Sequence, residues 1–301
     1  MVPEEESLKT IRARVLDVAY LDVGPVDGSS VILLHGFPYD VRAYDDVVER
    51  LTALGMRCFV PYLRGFGPTR FIDADTVRSG EQAALGADLI SFMDALDISN
   101  PILAGYDWGG RAACVVSALW PERVRGLVSC GTGYNIQSIR HAAFPAAPEA
   151  EKLLWYQYYL HSARGYEGLK KYRDEFCHLL WRSWSPTWDF SKEEFSLTAK
   201  SFDNPDFVDV VTHSYRHRFG LVTGDPGYSL IESKLAELPE IIVPAVVIEG
   251  EEDGVTPPQL DFHIERFAAL RKLVKAPGVG HNYPQEAPVV FSDAVISLAI
   301  D

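Results

Sequence analysis

The residue in this sequence best suited to attack a substrate is Asp107, in the segment Gly105-Tyr106-Asp107-Trp108-Gly109. An apolar run typical of a buried strand precedes the segment, and an Ala-rich pattern with helical spacing follows it. A Gly-x-nucleophile-x-Gly segment in that setting is typical of a nucleophile elbow, where a sharp turn lifts the middle side chain off the end of a sheet. The flanking glycines keep neighbouring backbone clear of that side chain. The alternative is an ordinary N-cap aspartate, and the partners of Asp107 decide between the two.

Two later residues supply the groups that an Asp nucleophile needs. Asp253 follows an apolar strand in Gly250-Glu251-Glu252-Asp253-Gly254, and His281 lies in Gly278-Val279-Gly280-His281-Asn282 before the last helical pattern. Taken separately, each could equally be a turn residue or a helix cap. Together with the Asp107 segment they follow the chain order nucleophile, acid, histidine. We therefore expect all three side chains at the carboxyl edge of one sheet.

The elements that must position these residues alternate between strands and helices. From residue 31 to about 131 the order is strand, helix, strand, helix, strand, helix, strand. That order favours a parallel sheet with helices on both faces. Two edge strands are expected before it, between Leu8 and Gly24. The later elements are the resumed sheet at 241–250, a helix near 259–270, a short strand at 272–274 and a last helix at 287–299.

The stretch between the two halves has a different character. From about Gly133 to Glu232 no strand-like run appears, and the stretch is rich in Trp and Tyr. We interpret it as an inserted helical cap, whose aromatic side chains cover an apolar pocket and still present polar tips. The predicted domains are thus an α/β core of residues 1–132 and 233–301, and a cap of residues 133–232.

Several segments resemble those of the α/β-hydrolase superfamily, over nearly the whole chain. The resemblance is strongest to soluble epoxide hydrolases, through His35-Gly36-Phe37-Pro38 and Asp107-Trp108-Gly109-Gly110. Trp155-Tyr156-Gln157-Tyr158-Tyr159-Leu160 resembles the segment of that family that holds the first ring-opening tyrosine, and His213-Ser214-Tyr215-Arg216-His217 resembles the second. One departure is Tyr106, where the family more often has His.

The resemblance implies an α/β-hydrolase fold with an inserted cap, and a cis peptide bond before Pro38. The implied catalytic residues are Asp107, His281, Asp253, Tyr156 and Tyr215. The backbone N–H groups of Phe37 and Trp108 would form the oxyanion hole. The implied substrate contacts are Phe37, Trp108, Trp155, Tyr156 and Tyr215. We expect the two tyrosines to act as acids with pKa values near or somewhat below about 10. No metal and no cofactor is implied.

An Asp nucleophile narrows the chemistry to displacement at saturated carbon. A carboxylate can attack such a carbon directly and form an alkyl ester, which His281, oriented by Asp253, would then hydrolyse with water. The leaving group is an epoxide oxygen or a halide. The sequence therefore predicts an epoxide hydrolase, with a haloalkane or haloacid dehalogenase as the alternative. Trp108 supports the alternative because its indole N–H could bind a halide, and a cap residue such as Trp155 could supply a second donor. A catalytically silent binding protein is the third reading, against which the intact Asp107, Asp253 and His281 argue.

Composition restricts the partners and the compartment. The formal net charge of −14 argues against nucleic acid and anionic membrane surfaces. The acidic N-terminus lacks the apolar run of a secretory signal. Cys58, Cys114 and Cys130 lie among apolar neighbours, as expected for free thiols in a cytoplasmic protein. We expect a small apolar molecule as the partner, and a homodimer is one candidate assembly.

Overall fold

A mixed sheet of nine strands forms the centre of the protein in a computed structural model, which describes residues 8–255 and 265–300. The strands are β1 Leu8–Ala13, β2 Leu16–Val23, β3 Ser29–Leu34, β4 Met56–Pro61, β5 Arg70–Phe71, β6 Ile102–Gly105, β7 Gly126–Cys130, β8 Ala245–Gly250 and β9 Leu270–Ala276. Their order in the sheet is β1-β2-β4-β3-β6-β7-β8-β9, with β5 paired to β2.

The pairing places the ends of three strands at one edge. The pairs β1–β2, β2–β4 and β2–β5 are antiparallel, whereas every pair from β4 across to β9 is parallel. The strand before Asp107, β6, therefore lies between β3 and β7, with Leu34 opposite Gly105. Because carboxyl ends of parallel strands share an edge, the loops after β3, β6 and β8 meet there.

Twelve α-helices lie in the described part of the chain. They are α1 Asp45–Ala53, α2 Gln82–Ala95, α3 Asp107–Leu119, α4 Pro148–Leu153, α5 Trp155–His161, α6 Ala163–Lys171, α7 Arg173–Trp184, α8 Lys192–Ala199, α9 Phe207–His217, α10 Ser229–Leu235, α11 Tyr283–Glu286 and α12 Pro288–Ala299. Helix α1 packs against α12, and α2 packs against α3 and α10. With helices covering the sheet, the apolar run Val31–Leu34 is at most 1% exposed, and burial of each such side chain stabilises the fold by roughly 1.5–3 kcal/mol.

Most elements follow the sequence pattern, and the differences are local. The helix expected after Pro38 begins with a 3-10 turn over Val41–Tyr44 before α1. The resumed strand begins at Ala245, and Ile241 makes only an isolated bridge with Phe267, because the intervening Pro244 has no N–H to donate to a ladder. The helix expected near 259–270 lies mostly outside the described residues, and Leu270 already belongs to β9.

The helical segment between β7 and β8 contains no strand and is bonded to the sheet domain at several points. The indole N–H of Trp181 donates to the carbonyl oxygen of Pro38 at 2.7 Å. The hydroxyl of Ser201 donates to the buried carboxylate of Asp40 at 2.6 Å. These bonds hold α7 and the turn after α8 above the loop that follows β3.

All four cysteines are buried and free of disulfides. Within residues 8–255 and 265–300, none of the helices has the length and apolar character needed to cross a membrane.

Candidate active site

Asp107 stands in the strained turn that the sequence predicted. It is the first residue of α3, directly after β6, and its φ of +49° lies in the left-handed region, which costs a non-Gly residue roughly 1–3 kcal/mol. A Cβ at Gly105 would lie 2.7 Å from the carbonyl carbon of Gly109, and one at Gly109 would overlap the carbonyl oxygen of Leu34. The two glycines therefore permit the close approach of β3, β6 and α3 that keeps Asp107 in this turn.

The structure brings Asp253 and His281 together as a buried pair. The His281 Nδ1 atom lies 2.9 Å from Oδ2 and 3.1 Å from Oδ1 of Asp253. Two donors fix that carboxylate, since Val255 N–H donates to Oδ1 at 2.8 Å and the Tyr283 hydroxyl to Oδ2 at 2.7 Å. With Nδ1 held by Asp253, the other ring nitrogen of His281 is directed to chemistry.

That second nitrogen faces Asp107. The His281 Nε2 atom lies 3.7 Å from Oδ2 of Asp107, longer than a hydrogen bond. Oδ1 of Asp107 is held separately, by the backbone N–H of Phe37 at 2.7 Å. The side chain of Asp107 keeps 15% of its surface accessible, against 4% for His281. One carboxylate oxygen is therefore fixed and the other lies beside a base.

The charges of the three residues shift one another's titration. Burial raises the pKa of Asp107, but the opposing effect of His281, with contributions from Arg218 and the Phe37 N–H, leaves that pKa below its ordinary value. Burial lowers the pKa of His281, but the charges of Asp253 and Asp107 raise it above its ordinary value. The resting pair is thus a carboxylate beside an imidazolium.

The two tyrosines come from separate helices and meet at the same place. Tyr156 lies on α5 and Tyr215 on α9, and their rings pack edge to face at 5.3 Å. They are 2% and 0% exposed, and the side-chain amide of Gln157 donates to the Tyr156 hydroxyl at 3.0 Å. Burial first, and then other groups including the Asp107 carboxylate, raise the pKa of both hydroxyls. The expectation of a pKa near or below the free value is therefore wrong, because it left out desolvation.

Aromatic residues close the space around Asp107. Phe37 stacks on Trp108 at 5.6 Å and contacts the Tyr215 ring at 5.5 Å. The peptide bond between Phe37 and Pro38 is cis, as expected. Trp155 lies apart from this group, and it is 38% exposed. Its ring contacts the rings of Tyr159 and Phe176. Tyr156 is the one predicted site residue whose ring it contacts.

Sequence reasoning missed several residues of the site. The ring of Trp184 lies 5.2 Å from that of His281 and 4.9 Å from that of Tyr156, and its carbonyl oxygen accepts the His281 N–H at 3.2 Å. Arg218, just after α9, places its guanidinium 4.7 Å from the Tyr215 ring centre. For two of the residues that were missed, the sequence did hold a usable signal, which was their closeness to predicted site residues. Tyr283 lies two residues after His281, and Arg218 lies three residues after Tyr215.

The position that departs from the epoxide hydrolase pattern, Tyr106, is fully buried. Its ring packs between Tyr39 at 5.3 Å and His281 at 6.2 Å. Tyr106, directly before Asp107 in the chain, therefore packs its ring against the imidazole of His281.

Comparison with known proteins agrees with this architecture. A family model described as the α/β hydrolase fold matches residues 29–286. The chain belongs to the α/β-hydrolase fold family. A solved structure from Klebsiella pneumoniae, provisionally named an epoxide hydrolase, is 42% identical with a TM-score of 0.96 over 98% of each chain. The predicted family and fold are confirmed.

Curated relatives carry both of the predicted activities in their names. A haloalkane dehalogenase of Mycolicibacterium paratuberculosis is 34% identical over 119 residues, 38% of each protein. Epoxide hydrolase 2 of Siraitia grosvenorii is 33% identical over 121 residues, 40% of this chain and 37% of that protein. The chain matches well under half the length of these relatives. The chain is thus an α/β-hydrolase resembling epoxide hydrolases, with haloalkane dehalogenases among its homologues.

Proposed function

We propose that this protein is an epoxide hydrolase, which converts an epoxide into a vicinal diol through an ester on Asp107. The observation that supports this most directly is the buried pair Tyr156 and Tyr215, packed at 5.3 Å and within the electrostatic influence of Asp107. An opening epoxide develops an alkoxide, which needs a proton. A tyrosine whose pKa is raised stays protonated at neutral pH and can supply it.

In the first step Oδ2 of Asp107 attacks an epoxide carbon. Oδ1 is held by the Phe37 N–H at 2.7 Å, so Oδ2 is the free nucleophile. A bond forms between Oδ2 and that carbon while the carbon–oxygen bond of the ring breaks. The departing oxygen takes a proton from Tyr156 or Tyr215, which leaves a hydroxyalkyl ester and a tyrosinate.

In the second step His281 activates water. Nε2 takes a proton from the water that attacks the ester carbon of Asp107, and the oxyanion that forms on Oδ1 is stabilised by the N–H of Phe37 and of Trp108. The bond between the ester carbon and Oδ2 breaks, and the leaving diol oxygen takes the proton from His281. The second water proton restores the tyrosine, and the water oxygen stays in Asp107. His281 must first release the Nε2 proton of its resting imidazolium to solvent, which esterification favours because it removes the charge of Asp107, one contribution that raises the pKa of His281. The proton is taken up again once the Asp107 carboxylate is restored.

The helical segment 133–232 would act as the cap of this site, because it supplies both tyrosines and Trp184. A groove of about 520 Å³ runs along it and is lined by Gln157 and Arg218 among others. Gln157 also bonds the Tyr156 hydroxyl, so this groove is our candidate entrance for a small substrate. The four buried, free thiols support our placement of the enzyme in the cytoplasm.

A dehalogenase is the second candidate, and one observation favours it. The indole Nε1 of Trp108 is buried and donates to no described residue, which suits a halide ligand. Phe37, however, has no side-chain donor to complete a halide site. In a dehalogenase Tyr156 and Tyr215 would serve only as packing.

Parallel incubation with styrene oxide and with 1,2-dibromoethane, following diol and bromide, tests the reaction. We expect diol as the faster product. Bromide release as the better reaction would replace the proposal with the dehalogenase reading.

The ester is tested with His281→Gln, which should accumulate an adduct on the peptide that contains Asp107. Asp107→Asn serves as the control that forms none. In a single turnover of the parent enzyme in ¹⁸O-water, the label should enter Asp107 and not the diol. Label that appears only in the diol would disprove the covalent mechanism.

A further inference from the structure

Two arginines beside the site have no bonded partner among the described residues. Arg111 lies on α3, one turn after Asp107, and is 7% exposed. Neither its guanidinium nor that of Arg218 makes a hydrogen bond or ion pair with any residue of 8–255 or 265–300, and Arg111 Nε and Arg218 Nη2 are fully buried. Arg111 is a buried cation and Arg218 a half-buried one. A cation removed from water without a bonded anion is destabilising, so these two positions favour a ligand of opposite charge.

Two carboxylates bonded to residues that line the region of these arginines, Glu232 and Glu81, are already occupied. Glu232 accepts from the Ala83 N–H at 3.0 Å and from the Gln82 amide at 3.2 Å. Glu81 accepts from the Asp225 N–H at 3.0 Å and contacts His217 at 3.3 Å. Burial raises the pKa of Glu81 to about 7, which lessens its charge at neutral pH. Neither carboxylate bonds to an arginine.

Arg111 and Arg218 both line one narrow cavity. It is lined by Arg111, Arg218, Gln82, Gln137, His217 and Ile139. Arg218 and Gln137 also line the 520 Å³ groove proposed as the entrance. The cavity therefore adjoins the groove at Arg218.

Arg218 links this cavity to the reacting groups. Its guanidinium carbon lies 4.7 Å from the ring centre of Tyr215 and 5.9 Å from that of Trp108. Its charge also lowers the pKa of Asp107. An anion bound at Arg218 would thus lie one aromatic ring away from the proposed site of epoxide opening.

We propose that Arg111 and Arg218 form a carboxylate subsite, so that the preferred substrate is an epoxide whose molecule also carries a carboxylate. Planar guanidiniums pair with a planar carboxylate through two parallel hydrogen bonds. The cavity itself, of about 10 Å³, has room for about one water, so the carboxylate would lie where the groove meets the cavity at Arg218. The subsite depends on the proposed function in one respect, which is that the bound acid is an epoxide.

A pair of probes of one shape tests the charge. 3-Phenylglycidate and its amide differ in charge and little in size, and styrene oxide lacks the group altogether. We expect kcat/KM for the acid to exceed that for the amide by about 30-fold or more, as for a buried charge pair. Arg111→Met should reduce the value for the acid by a similar factor and for the amide by less than about 3-fold, and Arg218→Met should also reduce the value for the acid. Arg182→Met, an exposed cap arginine, is the charge-matched control.

A binding measurement separates this proposal from the reaction. Calorimetry with phenylacetate and phenylacetamide should show tighter binding of the acid to the parent, lost in Arg111→Met and partly kept in Arg111→Lys. Equal binding of acid and amide by the parent would overturn the subsite. If styrene oxide and the glycidamide are hydrolysed but the acid is not preferred, the subsite is wrong and the epoxide hydrolase stands. If no epoxide reacts but phenylacetate binds through the arginines, the reaction is wrong and the subsite stands.

Discussion

Replacing Asp253 with Asn should impose the wrong tautomer on His281. Oδ1 of Asp253 accepts the Val255 N–H at 2.8 Å, so the amide oxygen of an Asn must take that position, because an NH₂ there would face another donor. The NH₂ then occupies the Oδ2 position, 2.9 Å from Nδ1 of His281. The Tyr283 hydroxyl, which donates to the carboxylate there in the parent, can turn to accept because a hydroxyl both donates and accepts. Nδ1 must accept, and the proton moves to Nε2, the atom that should take a proton from water.

The magnitude follows from which step needs the base. An amide in place of the carboxylate that orients a catalytic histidine costs roughly 10⁴-fold in serine hydrolases, so we expect ester hydrolysis to slow by roughly 10³–10⁴-fold. Ring opening needs only the Asp107 carboxylate and the tyrosines. It should slow by less than about 10-fold, and the ester should accumulate in Asp253→Asn.

Rapid mixing with styrene oxide, quenching and mass analysis of the Asp107 peptide would follow both steps. The control is Asp293→Asn, which makes the same change at a carboxylate whose side chain is 63% exposed. It should behave as the parent. If Asp253→Asn slows ring opening as much as ester hydrolysis, so that no ester accumulates, the reasoning from the two donors is wrong.

Three further predictions follow from the described contacts. Tyr156→Phe and Tyr215→Phe should each slow ring opening by roughly 10–100-fold, and the double variant by roughly 10²–10⁴-fold, in stopped-flow measurements; parent rates in the double variant would remove the tyrosines from the mechanism. Gly109→Ala should lower the free energy of unfolding by roughly 3–5 kcal/mol, because the added Cβ overlaps the Leu34 oxygen. In the control Gly55→Ala the added Cβ meets no atom within 4 Å, so that change should cost only roughly 1–2 kcal/mol. Urea denaturation measures both values. Asp107→Asn should lower the pKa of His281 in an NMR titration, since the Asp107 charge helps to raise that pKa. The stability that the raised pKa contributes is fully present below about pH 6.5 and is lost as the pH rises through the pKa of the folded state. This pH-dependent loss of stability should therefore be smaller in the variant.

The sequence was enough to predict the sheet and the position of Asp107 in its turn because both depend on local patterns. Continuous apolar runs such as Val31–Leu34 predict strands covered on both faces, whatever lies on them. The two glycines around Asp107 predict a tight turn, since only a residue without Cβ fits there. The order of Asp107, Asp253 and His281 then placed all three at one edge, because parallel strands end together.

Only the tertiary structure decided how distant segments meet around that edge. The periodicity of α5 and α9 could not show that Tyr156 and Tyr215 lose their solvent, so the direction of their pKa shift was predicted wrongly. Nor could it show that Trp155 faces outward while Trp184, from α7, contacts His281. Arg111 and Arg218 are separated by more than a hundred residues and converge on one cavity only when the helical segment folds over α3. A pattern along the chain records spacing within one element, whereas burial and charge depend on which other element lies opposite.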